Sequence, residues 1–237
     1  MSAVFSALLE PAFRATITDL LTEKEYSKAS GLVSLAGSAR YLFAPVIAIS
    51  SVVTLFMGVF QILAEPLILS FADAKTLGIA ETVCACGMLT SGMILGIRGI
   101  KRHFAAALGI SLMLAGIFMF AFGMNESIGI ICCLGFMFFA MLPVANNCID
   151  YLLRTNIADE AQGHAWGLIG FLSQIGYIVA YAVSGFAADT VGITTGLGVG
   201  RGSAIVIRIS GVCLAMTSVL ILCIGSIRKL EKGDKKS

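Results

Sequence analysis

Uncharged stretches close to bilayer length, parted by short charged or glycine-rich breaks, occupy most of this chain and narrow its folds more than any other feature. About 20 apolar residues carry a helix across the roughly 30 Å hydrocarbon core of a bilayer. Residues 77–97, 104–121, 128–151, 165–187 and 204–227 each read as one such span. The alternating strands of an outer-membrane barrel are missing. With 58% hydrophobic and 13% charged residues in 237, a water-soluble fold would be nearly all core. The length accommodates roughly six to eight membrane helices with short loops and no additional soluble domain. The expected fold is an all-α membrane protein, a polytopic helical bundle. Its 26 glycines suit that fold, because small residues let backbones approach one another in lipid.

The net charge of +2 says little, but its distribution sets an orientation. Arg98, Lys101, Arg102 and His103 form one basic loop. Two spans later comes Arg154, with Asp159 and Glu160, and the tail adds Arg228, Lys229, Lys232, Lys235 and Lys236. The alternate loops, around Glu126 and over 189–202, share a single basic residue, Arg201. The positive-inside rule makes the first set cytoplasmic, and with it the carboxyl terminus of a multi-pass plasma-membrane protein. No cleavable signal peptide is visible at the start, where residues 1–9 lack a basic region and Glu10 interrupts the apolar stretch. Glu10 and Arg14 are spaced for a local i, i+4 pair. The seven cysteines all lie in apolar runs without a metal-ligand spacing and read as small buried hydrophobes. His103 and His164 sit in basic loops, so no metal site is expected.

The front of the chain is harder to divide. Residues 29–71 form an apolar run broken only by Arg40, Pro45, Gln61, Glu65 and Pro66. As one straight helix it would be about 60 Å long, twice the hydrocarbon thickness. Counting back from the basic loop puts the 73–76 connection outside, whereas 23–28 reads as a cytoplasmic loop. An odd number of crossings must separate them, so two full spans give the wrong parity. Either one region only skims the membrane or the first loop lies elsewhere.

Two stretches, 23–41 and 159–177, match each other: Ala29, Gly31, Leu32 and Tyr41 recur as Ala165, Gly167, Leu168 and Tyr177. Transporters built from two similar halves carry repeats of this kind. The run Pro11, Phe13, Asp19, Leu20, Glu23, Ala29, Gly31, Leu32, Ala39, Arg40 and Pro45 resembles the fourth-to-fifth helix region of major facilitator superfamily transporters, with Thr22 where the family has proline. From Asp73 onward the chain resembles helices eight to twelve of that fold, in its macrolide-efflux-like branch. Thr76-Leu77-Gly78, Gly87-Met88-Leu89, Pro143 with Asn146 and Asn147, and the run Gln162 to Leu168 carry that likeness. Residues 55–71 correspond to most of helix seven.

Against that family the chain lacks helices one to three, part of four, and helix six. A junction between Ala48 and Ile49 accounts for the parity. The expected organisation is therefore a remnant of the amino-terminal half over 1–48, a carboxyl-terminal transmembrane bundle over 49–227 and a basic cytoplasmic tail over 228–237. The family's cytoplasmic signature survives only as Gly92, Gly99 and Lys101, with Gly96 at its aspartate position. That loop reads as a topogenic basic loop.

The resemblance implies a secondary transporter exporting an amphipathic drug or macrolide-like compound in exchange for protons, by rocking two helix bundles about a midplane site. A truncated transporter without activity of its own, or a membrane subunit that needs a partner chain, is the alternative. Ionisable groups within apolar spans are costly, so each is a candidate for function. Glu65, beside Pro66 where a broken helix would expose carbonyls, is a candidate for ion coupling. Asn146, Asn147 and Asp150 form the most polar patch within any span, and Asp150 is spaced to pair with Arg154. Arg40 is placed to face a cavity or snorkel, while Gln61, Gln174, Tyr177 and Tyr181 are candidates to line a pathway. Glu81 reads as a helix-start carboxylate favoured by the positive end of the dipole, and Arg208 as a snorkelling residue. Trp166 reads as an interface anchor and 198–202 as a flexible loop. No nucleophile with a base, metal cluster or pair of intramembrane acids occurs at useful spacing, so an enzyme is not expected. The expected partners are the lipid bilayer, a small-molecule substrate and either a homo-oligomer or a complementary transporter half. Neither a cofactor nor nucleic acid is expected.

Overall fold

The computed structural model of the chain describes residues 49–100, 103–156, 159–196 and 198–223. Segment 1–48, with Arg40, the Glu10–Arg14 spacing and the first copy of the repeat, lies outside them, as does the 228–237 tail. Among the described residues there are six helices and no strand. They are α1, Ile49–Leu69; α2, Ala74–Arg98; α3, Phe104–Phe122; α4, Ile128–Asn156; α5, Asp159–Thr195; and α6, Gly198–Cys223. Each contains a stretch long and apolar enough to cross a bilayer, so the chain is a multi-pass membrane protein.

Helix α1 runs unbroken through Pro66, contrary to the proline break expected beside Glu65. Pro66 falls in the last turn, where its missing N–H costs only the bond to the Ile62 carbonyl. Tightened bonds then close the helix, with Ser70 N–H donating to Leu67 O and Phe71 N–H to Ile68 O, each at 3.2 Å. The α4 helix likewise continues through Pro143.

The loops expected over 154–164 and 189–202 are mostly helical. Helix α4 reaches Asn156, and α5 starts at Asp159 and continues to Thr195. At 37 residues α5 is about 55 Å long, well beyond the hydrocarbon thickness. Residues 198–202, read as a flexible loop, instead begin α6, and Gly198 and Gly202 meet Gly192 of α5. A Cβ added to Gly192 would lie 2.8 Å from the Gly198 carbonyl, and one on Gly202 2.8 Å from the Gly192 nitrogen. Between α5 and α6, Gly196 (φ 67°) and Gly198 (φ 81°) take the positive φ that turns the chain.

Consecutive helices alternate in direction. Helix α3 packs on α4 and α6, α4 also on α2, and α6 also on α5, giving an arc in the order α2, α4, α3, α6, α5. The α3–α6 seam is lined by small residues. Gly109, Gly116 and Gly123 recur at the seven-residue interval that suits a shallow crossing of about 20°. A Cβ on Gly116 would lie 2.7 Å from both Gly211 O and Ala215 N, and one on Gly123 2.8 Å from Ala204 O. Ser218 donates across this seam to the Gly109 carbonyl. Between α2 and α4, Gly87 meets the Phe136 carbonyl and Gly135 the Cys84 thiol.

Helix α1 lies along the inside of the arc. Its Phe60, 2% exposed, stacks on Phe138 of α4 at 4.3 Å and meets Phe122 of α3 edge-on at 4.7 Å. Gly58 admits Ala180 and Tyr177 of α5. Polar side chains buried in the bundle are satisfied locally: Ser111 donates to Leu108 O and Ser203 to Val199 O, each at 2.9 Å. Among the described residues no buried side-chain nitrogen or oxygen is left without a partner. In hydrocarbon an orphan would cost several kcal/mol, on the order of the full desolvation penalty.

Asp73 caps α2, accepting from Thr76 N–H at 3.1 Å and from the Thr76 hydroxyl. These bonds favour the carboxylate and hold the Asp73 carboxyl below its ordinary range. Because the folded value is the lower one, the cap stabilises above the unfolded pKa and fades as pH falls through the folded one. Asp73→Ala should therefore lower the melting temperature of the detergent-solubilised protein at pH 7, with the difference from wild type shrinking in acid. At the seam, Gly116→Ala should destabilise by about 1–3 kcal/mol in a denaturation titration. Gly92→Ala, where an added Cβ meets nothing within 4 Å, should be neutral or slightly stabilising.

Candidate functional site

Between α1 and α2 runs a groove of about 480 Å³, closed at its back by Phe122 of α3 and Phe139 of α4. Two helical stripes build it. Met57, Gln61, Ala64 and Ile68 recur every three or four residues along α1, as do Leu77, Glu81, Cys84 and Met88 along α2. The walls are apolar and rich in flexible methionine, interrupted by the amide of Gln61 and the carboxylate of Glu81. Such a surface accepts a bulky apolar body and offers its polar atoms one hydrogen-bonding partner and one negative charge.

Glu81 stands two turns into α2, whose first turn contains no acidic residue. The expectation that it answers the helix dipole is thereby corrected, since that interaction fades within the first turn. The helix start is served instead by Asp73. The Leu77, Glu81, Cys84, Met88 spacing carried the groove stripe in the sequence, but only the opposing α1 stripe shows that it faces a partner.

Gln61 joins the groove to α5. Tyr181 hydroxyl donates to Gln61 Oε1 at 3.2 Å, and the Tyr177 and Tyr181 rings lie 5.9 Å apart. This contact depends on Gly58, where a side chain would come within 2.9 Å of Ala180 Cβ and 3.1 Å of Tyr177 Cδ1. Of the pathway candidates, Tyr177, Tyr181 and Gln61 are thus brought together. Gln174 is exposed on α5, about one turn before Tyr177.

The remaining candidates do not converge. Glu65 is exposed on α1, one turn beyond Gln61 and close to the α1–α2 turn. Asn146 and Asn147 are exposed on α4, and Asp150, one turn on, is half-buried. Tyr151, next to Asp150, stacks on Phe104 at the first residue of α3, so this patch lies toward the basic end of the bundle. Glu65 lies toward the other end, and the two carboxylates share no site. Arg154 acts on Asp150 electrostatically, but among the described residues the two do not close an ion pair. Arg40 lies outside the described residues. Trp166 is exposed near the start of α5.

Arg208, read from the sequence as a snorkelling residue, has a hydrogen-bond partner within the bundle. It is half-buried ten residues into α6, and its Nε donates to the Gly123 carbonyl at 2.7 Å, capping the carboxyl-terminal end of α3. Its neighbour in space, the Arg201–Glu126 pair, spans 3.4 Å between the α6 start and the α3–α4 turn. The sequence held no signal for either contact, because both join residues 75 or more positions apart. Among the described residues no group of three or more His, Cys, Asp or Glu is placed to hold a metal ion.

No family model matches the chain, and no curated protein or solved structure does either.

The Gln61–Tyr181 bond is the polar link between the groove and α5. A double-mutant cycle with Gln61→Leu and Tyr181→Phe should give a coupling of about 0.6 kcal/mol in detergent unfolding, the usual size for such bonds between membrane helices. Gly58→Val should destabilise by more than either single change, because it wedges α1 from α5.

Proposed function

We propose that this protein is a secondary transporter of the major facilitator type, exporting an amphipathic, macrolide-like compound in exchange for protons. The observation that carries the reading is the apolar α1–α2 groove with Glu81 and Gln61 as its polar groups. An apolar, methionine-lined wall suits ligands of varied shape. A lone carboxylate beside it suits either a basic group on the ligand or a transported proton. The sequence resemblance supplies the substrate class and the direction. The basic loops support a cytoplasmic side for the α2–α3 and α4–α5 connections and the carboxyl terminus, in keeping with an exporter of the plasma membrane.

A second reading is a membrane subunit that works with a partner chain, whether another copy or a complementary transporter half. Exposed Asn146, Asn147 and Gln174 favour it, since amides facing lipid are costly and amides facing a neighbouring helix are not. Only 11% of the α5 span and 17% of the α2 span are buried, which leaves both helices room for a neighbour.

Macrolide accumulation in cells expressing this chain distinguishes the two. Export predicts lowered accumulation that an uncoupler restores, lost in Glu81→Gln and kept in Glu65→Gln at equal membrane abundance. Unchanged accumulation with the wild-type protein confirmed in the membrane overturns autonomous export and supports the partnered reading.

A further inference from the structure

At the end of the bundle away from the basic loops, three connections meet around a second cavity, of about 580 Å³. Its base is the α3–α4 turn, and its sides are the last turn of α1 and the first turns of α6. Because Arg208 is level with Gly123 and lies ten residues into α6, α6 stands about 15 Å beyond the end of α3. The cavity therefore opens where the apolar part of α3 stops, at the depth of lipid headgroups.

Three charged side chains line it: Glu126, Arg201 and Arg208. The Glu126 carboxylate is engaged by Arg201 Nη2. Arg208 spends its Nε on a neutral carbonyl, so no carboxylate lining the cavity answers its charge. A half-buried guanidinium at the edge of hydrocarbon is costly without an anion. Its planar fork matches the oxygens of a phosphate, and the cavity has room for more than a bare ion.

We propose that this cavity binds a phosphate group, seated on Arg208 and flanked by Arg201, borne by an anionic lipid headgroup or by a small soluble phosphate. The site is separate from the α1–α2 groove and is independent of what the groove carries. Glu126 competes with the ligand for Arg201 and holds down its affinity.

The test uses the full chain in detergent, titrated with phosphatidylglycerol, with phosphatidylcholine and with glycerol phosphate, and read by native mass spectrometry. Phosphatidylglycerol retained in preference to phosphatidylcholine identifies a lipid headgroup; retention of glycerol phosphate identifies a soluble ligand. In either case Arg208→Gln should weaken binding by roughly tenfold or more. Glu126→Gln, an exposed position where folding is not at stake, should tighten it by about two- to fivefold. Should Arg208→Gln fail to fold, the tightening by Glu126→Gln decides alone. Absence of preference for either phosphate ligand, or binding unmoved by Glu126→Gln, overturns the proposal.

Discussion

Hydrocarbon offers no partner to a backbone N–H or C=O, and the rest of this structure follows from that constraint. Each span bonds its own backbone as a helix, and the serines and threonines inside the bundle turn their hydroxyls onto carbonyls of the same or a neighbouring helix. Apolar side chains gain little by leaving lipid for protein, so helices associate where backbones come close enough for dense contact. The seam of Gly109, Gly116 and Gly123 against α6 meets that requirement. Half of the α3 span is buried, the largest share among the six.

Helix α1 turns the arc into a site. Phe60 locks it to α3 and α4, while Gly58 lets α5 approach from the other side. The same helix presents Gln61 to Tyr181 and Met57 to the groove. Phe60 and Gln61 both hold α1 in place and line the groove, so a shift of this helix would move both. The groove and the α5 tyrosines are coupled through one short stretch of backbone.

Charge is kept to the ends of the bundle, with different arrangements at each. The basic end collects Arg98, His103 and Arg154 near connections that turn within a few residues. The other end carries Asp73, Glu126, Arg201 and Arg208, whose carboxylates and guanidiniums cap helices or bridge connections. Between them, Glu81 is the carboxylate that lines the α1–α2 groove. That placement separates the apolar α1–α2 groove from the charged cavity among the connections at this end.

Hydropathy alone determined the helical class, the five later spans and the alternation of charged ends, because hydrocarbon thickness and backbone desolvation act on local composition. The α2 stripe of Leu77, Glu81, Cys84 and Met88 was also present as a spacing, as were the candidate roles of Gln61, Tyr177 and Tyr181. Helix ends were less legible: residues 198–202 were expected to form a flexible loop, yet they begin α6, and Gly202 meets Gly192 in close packing that depends on the opposite helix. Only tertiary structure decided that Glu81 faces a groove, that Gln61 meets Tyr181, and that Arg208 caps α3. Each of these depends on which faces of distant helices meet, and neither local composition nor spacing along one helix records that choice.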